Sequence, residues 1–335
     1  MEEKVMASKA QKNKQMVRLV KDNNSIIILA VILLIALVGV SGYGKSFYNV
    51  VNYVAMYGPV CVGLGLVMIT GNIDLSAGFQ AGLSGVMSVI VFNAVYTATG
   101  GNSVTALVVC IIGALITGAI TGVINGFVVA KVGVSPLIAT IASNFAYKGI
   151  VFYFANSAFS PEDADIVKLM AKTRIGGLKW LTPSFIVFVA IVVLVILWMY
   201  ATRFGNRLHV VGDNPEAAAY AGISVPKTVW VTYILSGVLA AVSGFAMVSS
   251  AGYAIYTQGN SLSTLTISCC VIGGIKMSGG KGTAFHVLLG VFIMRVISQI
   301  MTSLYMSADM VNLITGILLI LVLIIDRFTS TKEVE

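Results

Sequence analysis

Residues 183–200, PSFIVFVAIVVLVILWMY, carry no charge and no alternation of apolar and polar positions. About 20 apolar residues in a helix cross a bilayer, so this run reads as a transmembrane span and not as the core of a soluble domain. Working outward, the same signature recurs near residues 25–42, 48–70, 77–96, 104–130, 137–156, 228–251, 262–275, 284–304 and 308–325, which gives ten expected spans. Composition agrees: 58% of the 335 residues are hydrophobic and 10% charged, against about 25% charged in soluble domains. In lipid, a helix satisfies its own backbone hydrogen bonds. The expectation is an all-α integral membrane protein, a polytopic bundle of about ten transmembrane helices.

Lys4, Lys9, Lys12, Lys14, Arg18 and Lys21 precede the first run. Basic flanks stay on the cytoplasmic side, so both termini are expected on that side of the membrane. With ten spans, the inner connections hold more than twice the Lys and Arg of the outer ones, mostly because of the leader. The division read from this is a basic leader at 1–24, one transmembrane domain at 25–325 and a tail at 326–335. The inner connection of interest is 203–227 and the outer one 157–182. A formal charge of +8 spread along the flanks of spans suits anionic headgroups, not nucleic acid. The leader lacks a convincing cleavage site, so the first run is read as a retained span. Cys61, Cys110, Cys269 and Cys270 fall inside expected spans and form no disulfide framework. In the outer connection, Ser160 as cap and Pro161 at the first position predict a short helix to about Lys172.

Gly71-Asn-Ile-Asp-Leu-Ser-Ala-Gly78 aligns at an offset of 202 with Gly273-Gly-Ile-Lys-Met-Ser-Gly-Gly280, identical at four of eight positions. Such glycine clusters predict helix breaks at Gly71, Ser76, Gly273, Gly274, Gly279 and Gly280. Two accounts of the echo stay open: an internal repeat, as in many transporters, or chance likeness between glycine-rich segments.

The 203–227 connection contains Gly212-Asp-Asn-Pro-Glu-Ala-Ala-Ala-Tyr-Ala-Gly222. Asp213 or Asn214 caps a helix opening with Pro215 and Glu216, propagated by Ala217 and Ala218 and closed by Gly222. A short helix with small side chains on the inner surface suits the groove of another protein. Glu216-Ala217-Ala218 with Gly222 resembles the E-A-A-x-x-x-G coupling loop of ABC importer permeases, although the family's downstream apolar and proline element is missing beyond Pro226. Gly71 to Ser76 is similar to the G-x-I-D-L-S signature of the ribose, galactose and xylose branch. Asn125-Gly126 with Val134 to Thr140, and Gly273-Gly274 with Gly279 to Gly282, are similar to two further elements of that branch, all in the same order.

The resemblance implies a non-catalytic subunit in a bacterial inner membrane. A second copy, giving a homodimer, or a homologue would complete the path, cytoplasmic ABC ATPase subunits holding the ATP and Mg would dock on residues 213–222, and an external solute-binding protein would deliver a monosaccharide. The chain itself carries no G-x-x-x-x-G-K-[ST] phosphate loop. Permeases for nucleosides, branched-chain amino acids or a sugar-like signal look similar, and a self-sufficient secondary transporter remains a rival of another class. For a neutral solute the candidate path residues are Asn72, Asp74, Gln80, Asn125 and Asn144. Asp74 and Ser76 serve equally well as a cap, and Asn125 and Asn144 as bonds between helices. Lys148 and Arg295 fall within spans, where charge is costly and points either to function or to span ends that lie elsewhere. His209 and His286 have no metal-ligand or nucleophile spacing around them, so neither a metal nor an enzyme is expected.

Overall fold

The computed structural model describes residues 43–178 and 180–331. The basic leader, the expected span at 25–42 and the last four residues lie outside the described residues. The described helices are α1 (Tyr43–Ile69), α2 (Ala77–Ala98), α3 (Ser103–Phe127), α4 (Pro136–Ala155), α5 (Ala164–Lys172), α6 (Pro183–Ala201), α7 (Arg203–Asp213), α8 (Pro215–Tyr220), α9 (Val225–Ala251), α10 (Leu262–Gly273), α11 (Ala284–Ser303) and α12 (Ala308–Thr331). No strand occurs among the described residues.

Seven of these helices are long and apolar enough to cross a membrane: α1, α2, α3 with the π-helical turn at Val128–Val132, α4, α6, α9 and α11. Polar caps set their starts. Asn102 accepts from Thr105 N (3.0 Å), Thr182 from Phe185 N (3.3 Å) ahead of Pro183, and Thr283 from His286 N (3.4 Å). The expected span at 262–275 is corrected. α10 has 12 residues, or about 18 Å of helix against a hydrocarbon core of about 30 Å. It starts where Ser261 takes φ 59 and stops where Gly274 takes φ 106, so its apolar composition runs on into a break. α12 has a shorter apolar stretch, Asp309–Leu321.

α9 is the centre, packed against α1, α2 and α3. Close approach comes from small residues at helical spacing, the usual solution where lipid supplies no hydrophobic drive between helices. Gly118 of α3 and Gly237 of α9 face each other so closely that a Cβ on either would strike the other's carbonyl oxygen. Gly122 and Gly126 continue the seam against Tyr233 and Trp230. Gly244 meets the Ala81 carbonyl on α2 in the same way, and Gly290 of α11 meets the Cys269 carbonyl on α10. All four cysteines are free and buried. The outward faces of α4 and α6 are apolar and exposed, Ile138, Phe145, Leu194 and Leu197 among them, as lipid contact requires.

The outer helix starts later than the sequence suggests. Asp163, not Ser160, caps α5, accepting from Ile166 N (3.3 Å) and from the Ser103 hydroxyl (2.5 Å). The Ser103 hydroxyl in particular holds the Asp163 carboxyl below the usual carboxylate range. The Ser160 carbonyl and Glu162 N–H are taken by the Asn93 amide (3.2 and 2.8 Å), which keeps 160–163 as a turn on α2. Ser249 and Ser184 donate to the Val167 and Met170 carbonyls (2.6 and 2.8 Å), so α5 lies across the bundle as a lid.

Candidate functional site

α8 forms as its sequence dictates. Asn214 is the cap, its Oδ1 accepting from Ala217 N (2.9 Å). Pro215 takes the first position and Glu216 the first turn, where a carboxylate suits the helix dipole. Gly222, at φ 79, closes the helix, with Gly222 N donating to Ala219 O and Ile223 N to Ala218 O (both 3.0 Å). Ala218 is the buried residue of α8 and joins Val67, Val211, Val229 and Tyr233 in a small apolar cluster. The rest projects: Glu216 and Ala217 are exposed, and Tyr220 is 94% exposed.

α7, which the sequence reading missed, ties α8 to the bundle. Thr202 caps it by accepting from Gly205 N (3.2 Å). Near its end, Gly212 is wedged between the two glycine breaks. A Cβ there would strike the Ile69 carbonyl at the end of α1 and lie 2.5 Å from Gly280 N. Gly280 N donates to Ile69 O (2.9 Å), and His209 Nδ1 donates to Gly280 O (2.9 Å). The break segments also touch each other: a Cβ on Gly279 would sit 2.7 Å from Gly71 N and 2.8 Å from Gly212 O. Gly71, Gly274, Gly279 and Gly280 all have positive φ, which side chains resist, and Ser76 immediately precedes α2. Gly273 ends α10 as a close-packing residue against the His286 carbonyl. α7, α8 and both breaks thus form one contiguous body, beside a cavity of about 420 Å³ lined by Asn72, Asp213, Pro215 and Ser278.

Three of the five polar path candidates converge in one buried network. Ser76 N and Oγ donate to Asp74 Oδ1 (2.9 and 2.6 Å), and Gln80 Nε2 reaches Asp74 Oδ2 (2.8 Å) and Ser76 Oγ (2.7 Å). Asn125 Nδ2 donates to Ser76 Oγ (2.6 Å), and the Tyr147 hydroxyl lies 3.0 Å from Asn125 Oδ1. Tyr233, from α9, donates to the Ile73 carbonyl (2.9 Å), and Thr140 Oγ1 accepts from Leu75 N (3.1 Å). Asp74, Ser76, Gln80 and Asn125 are all fully buried. Every hydrogen-bonding atom of the Asp74 carboxylate meets a donor, and α2, α3, α4 and α9 are stapled to the break at 70–76. Asn72 is apart, half-buried at the cavity beside Asp213. Asn144 stands half-exposed on α4, outside the network.

Lys148 lies 5.8 Å from the Phe79 ring centre, and the Arg295 guanidinium 4.5 Å over Tyr53. Among the described residues, no group of His, Cys, Asp and Glu is arranged to hold a metal.

An all-helical membrane bundle with a projecting, proline-started helix fastened to two broken helices is the plan of a transport permease. Residues 46–323 match the family model for the branched-chain amino acid transport system permease component, and the chain belongs to that family. It is similar to the autoinducer 2 import system permease protein LsrC of Shigella flexneri, at 28% identity over 93% of this chain and 89% of the relative. The Yersinia pestis LsrC is 26% identical over 89% and 83% of the two chains. A probable ABC transporter permease protein of Sinorhizobium fredii, y4mJ, is 30% identical over 91% and 89%. No solved structure matches. The chain is therefore a multi-pass inner-membrane permease subunit of an ABC importer, a transport component and not the ATPase.

Proposed function

We propose that two copies of this chain form the translocation path for a monosaccharide or a sugar-like signal, delivered by an external binding protein and driven by a cytoplasmic ATPase pair docked on α8. Both termini then face the cytoplasm, and ATP and Mg are held by the ATPases. The observation that supports the reading is the wedge at Gly212: a pull on Glu216 to Gly222 reaches the end of α1 and the break at 274–283 through backbone contacts. Rigid-body movement of packed helices is the general way such a pull opens a path. The likeness to autoinducer 2 import permeases supports a sugar-like cargo over an amino acid. In this reading Asn72 borders the path at its inner end. Asp74, Gln80 and Asn125 brace the break at 70–76, so that the coupling movement turns the bundle and does not simply bend a loop.

Glu216→Lys combined with Gly222→Leu tests it. Both positions are exposed, so the chain should still insert, with Leu at φ 79 costing about 1–2 kcal/mol of stability. ATP hydrolysis should lose its link to uptake. Normal uptake by the double variant would discard the coupling role.

A further inference from the structure

One flank of α4 is built differently from its lipid-facing side. Asn144, Lys148 and Phe152 follow one another a turn apart, and Lys148 and Phe152 are exposed while Asn144 is half-exposed. Lys148 stands about 18 Å along α4 from Pro136, the end whose Ala139 shares an apolar cluster with Ala218 of α8. Its Nζ lies 5.8 Å from the ring of Phe79, which is about 28 Å of helix away from the far end of α2 at Ala98. A lysine stem cannot reach headgroups on either side from there, and a cation left facing hydrocarbon at that depth is costly. Among the described residues no acidic side chain pairs with Lys148, and Asp74 is buried and taken up by Ser76 and Gln80.

The backbone beside this flank gives a second, independent sign. α10 covers about 18 Å of a hydrocarbon core of about 30 Å, so the chain between α9 and α10 descends the remaining ~12 Å with only a 3₁₀ turn at Tyr256–Gly259. That descent abuts the Lys148 flank. The Tyr256 ring meets Phe152 edge-on at 5.3 Å, and a Cβ on Gly259 would lie 2.7 Å from the Phe79 ring. Thr257, Asn260, Ser261 and Thr264 are exposed along it. Non-helical backbone with open polar groups stands at membrane depth only where protein covers it or water fills the space beside it.

We infer that the Lys148 flank of α4 and residues 252–264 form a water-filled wall of the translocation path, and that Lys148 sets its charge, admitting uncharged or anionic solutes and turning back organic cations. The inference rests on the importer reading above and adds to it a face and a charge class. Water solvates the ammonium and the open groups at 257–264 together, which neither lipid nor a dry contact does. A low-dielectric channel lined by one sign of charge concentrates ions of the other sign and excludes its own. The ammonium is a compact, hydrated charge on a flexible stem, so it biases entry without gripping a passing solute.

The test uses the full permease with its ATPase subunits in nanodiscs. The four native cysteines are buried, so added cysteines report against a silent background. Two membrane-impermeant methanethiosulfonates serve as probes, one carrying a sulfonate and one a trimethylammonium group. Asn144→Cys and Thr257→Cys should react with them, and Leu194→Cys, 64% exposed on the outward face of α6, should not. At Asn144→Cys the sulfonate should react faster, relative to the trimethylammonium reagent, than it does with a free thiol in solution. Adding Lys148→Gln should lower that ratio about tenfold, and adding Lys148→Arg should preserve it. Reaction at Asn144→Cys and Thr257→Cys no faster than at Leu194→Cys would overturn the wet wall, and a ratio unchanged by Lys148→Gln would overturn the charge assignment. Co-purification of the ATPase subunits separates the two claims. Their retention beside unreactive cysteines sinks this inference alone, and their absence from the unaltered chain sinks the importer reading.

Discussion

Asp74 and Arg295 carry opposite charges inside the same apolar bundle, yet their surroundings are built in opposite ways. Around Asp74 every carboxylate oxygen meets a donor, and the neighbours Ser76, Gln80 and Asn125 are fully buried. Around Arg295 the side chain is half-buried, stacked on one ring, and edges a cavity of about 550 Å³. The first arrangement resists movement because displacing any member strands a buried polar partner. The second leaves polar groups facing room that water or a solute fills. Polar residues in a membrane bundle therefore serve as fasteners or as linings, and the surrounding volume distinguishes them where residue type does not.

Breaking the fastener should have the largest effect. Asp74→Leu removes the acceptor for Ser76 N, Ser76 Oγ and Gln80 Nε2 at once, and each stranded buried donor costs about 1–3 kcal/mol. The purified variant should melt far below the native chain or fail to insert, as measured by thermal aggregation in detergent. Asn125→Leu should follow with a loss of ~1–3 kcal/mol. Full stability with reduced uptake would instead return Asn125 to the path. Arg295→Gln should cost less than Asp74→Leu in the same melting measurement, since the cation–π contact with Tyr53 and the bond to Gln299 are each worth about 1 kcal/mol. The smallest effect belongs to Ser84→Ala. The Ser84 hydroxyl is buried in α2 without a hydrogen-bond partner, and its loss should leave melting unchanged within ~0.5 kcal/mol or raise it slightly.

Much of this architecture was legible because membrane helices announce themselves as long uncharged runs. Residues 183–200 and 228–251 needed nothing more, and α8 was readable from Asn214, Pro215 and Gly222 because caps are local chemistry. What was not legible depended on distance in the chain. The half-length of α10 is set by Ser261 at φ 59 and Gly274 at φ 106, backbone states that an apolar run does not reveal. α7 escaped notice because Thr202 is an inconspicuous cap and Arg203 to Asp213 is mixed in character. Asp74, Gln80 and Asn125 stood out as polar residues in apolar surroundings, but their mutual contact, and the parts played by Tyr147 and Tyr233, join residues up to 160 positions apart. Gly212 looked like one more loop glycine until Ile69 and Gly280 closed on either side of it. The wedge it forms is the feature on which the proposed coupling depends.

That dependence is tested most directly by crosslinking from α8 in membranes that contain the whole transporter. Tyr220→Cys places a thiol at the most projecting point of the helix, where the native side chain is 94% exposed. The account predicts a crosslink to a nucleotide-binding subunit whose yield changes when ATP is bound, and no solute accumulation by the permease alone in proteoliposomes. A thiol at 220 that finds no such subunit, or a purified bundle that moves solute unaided, would contradict it.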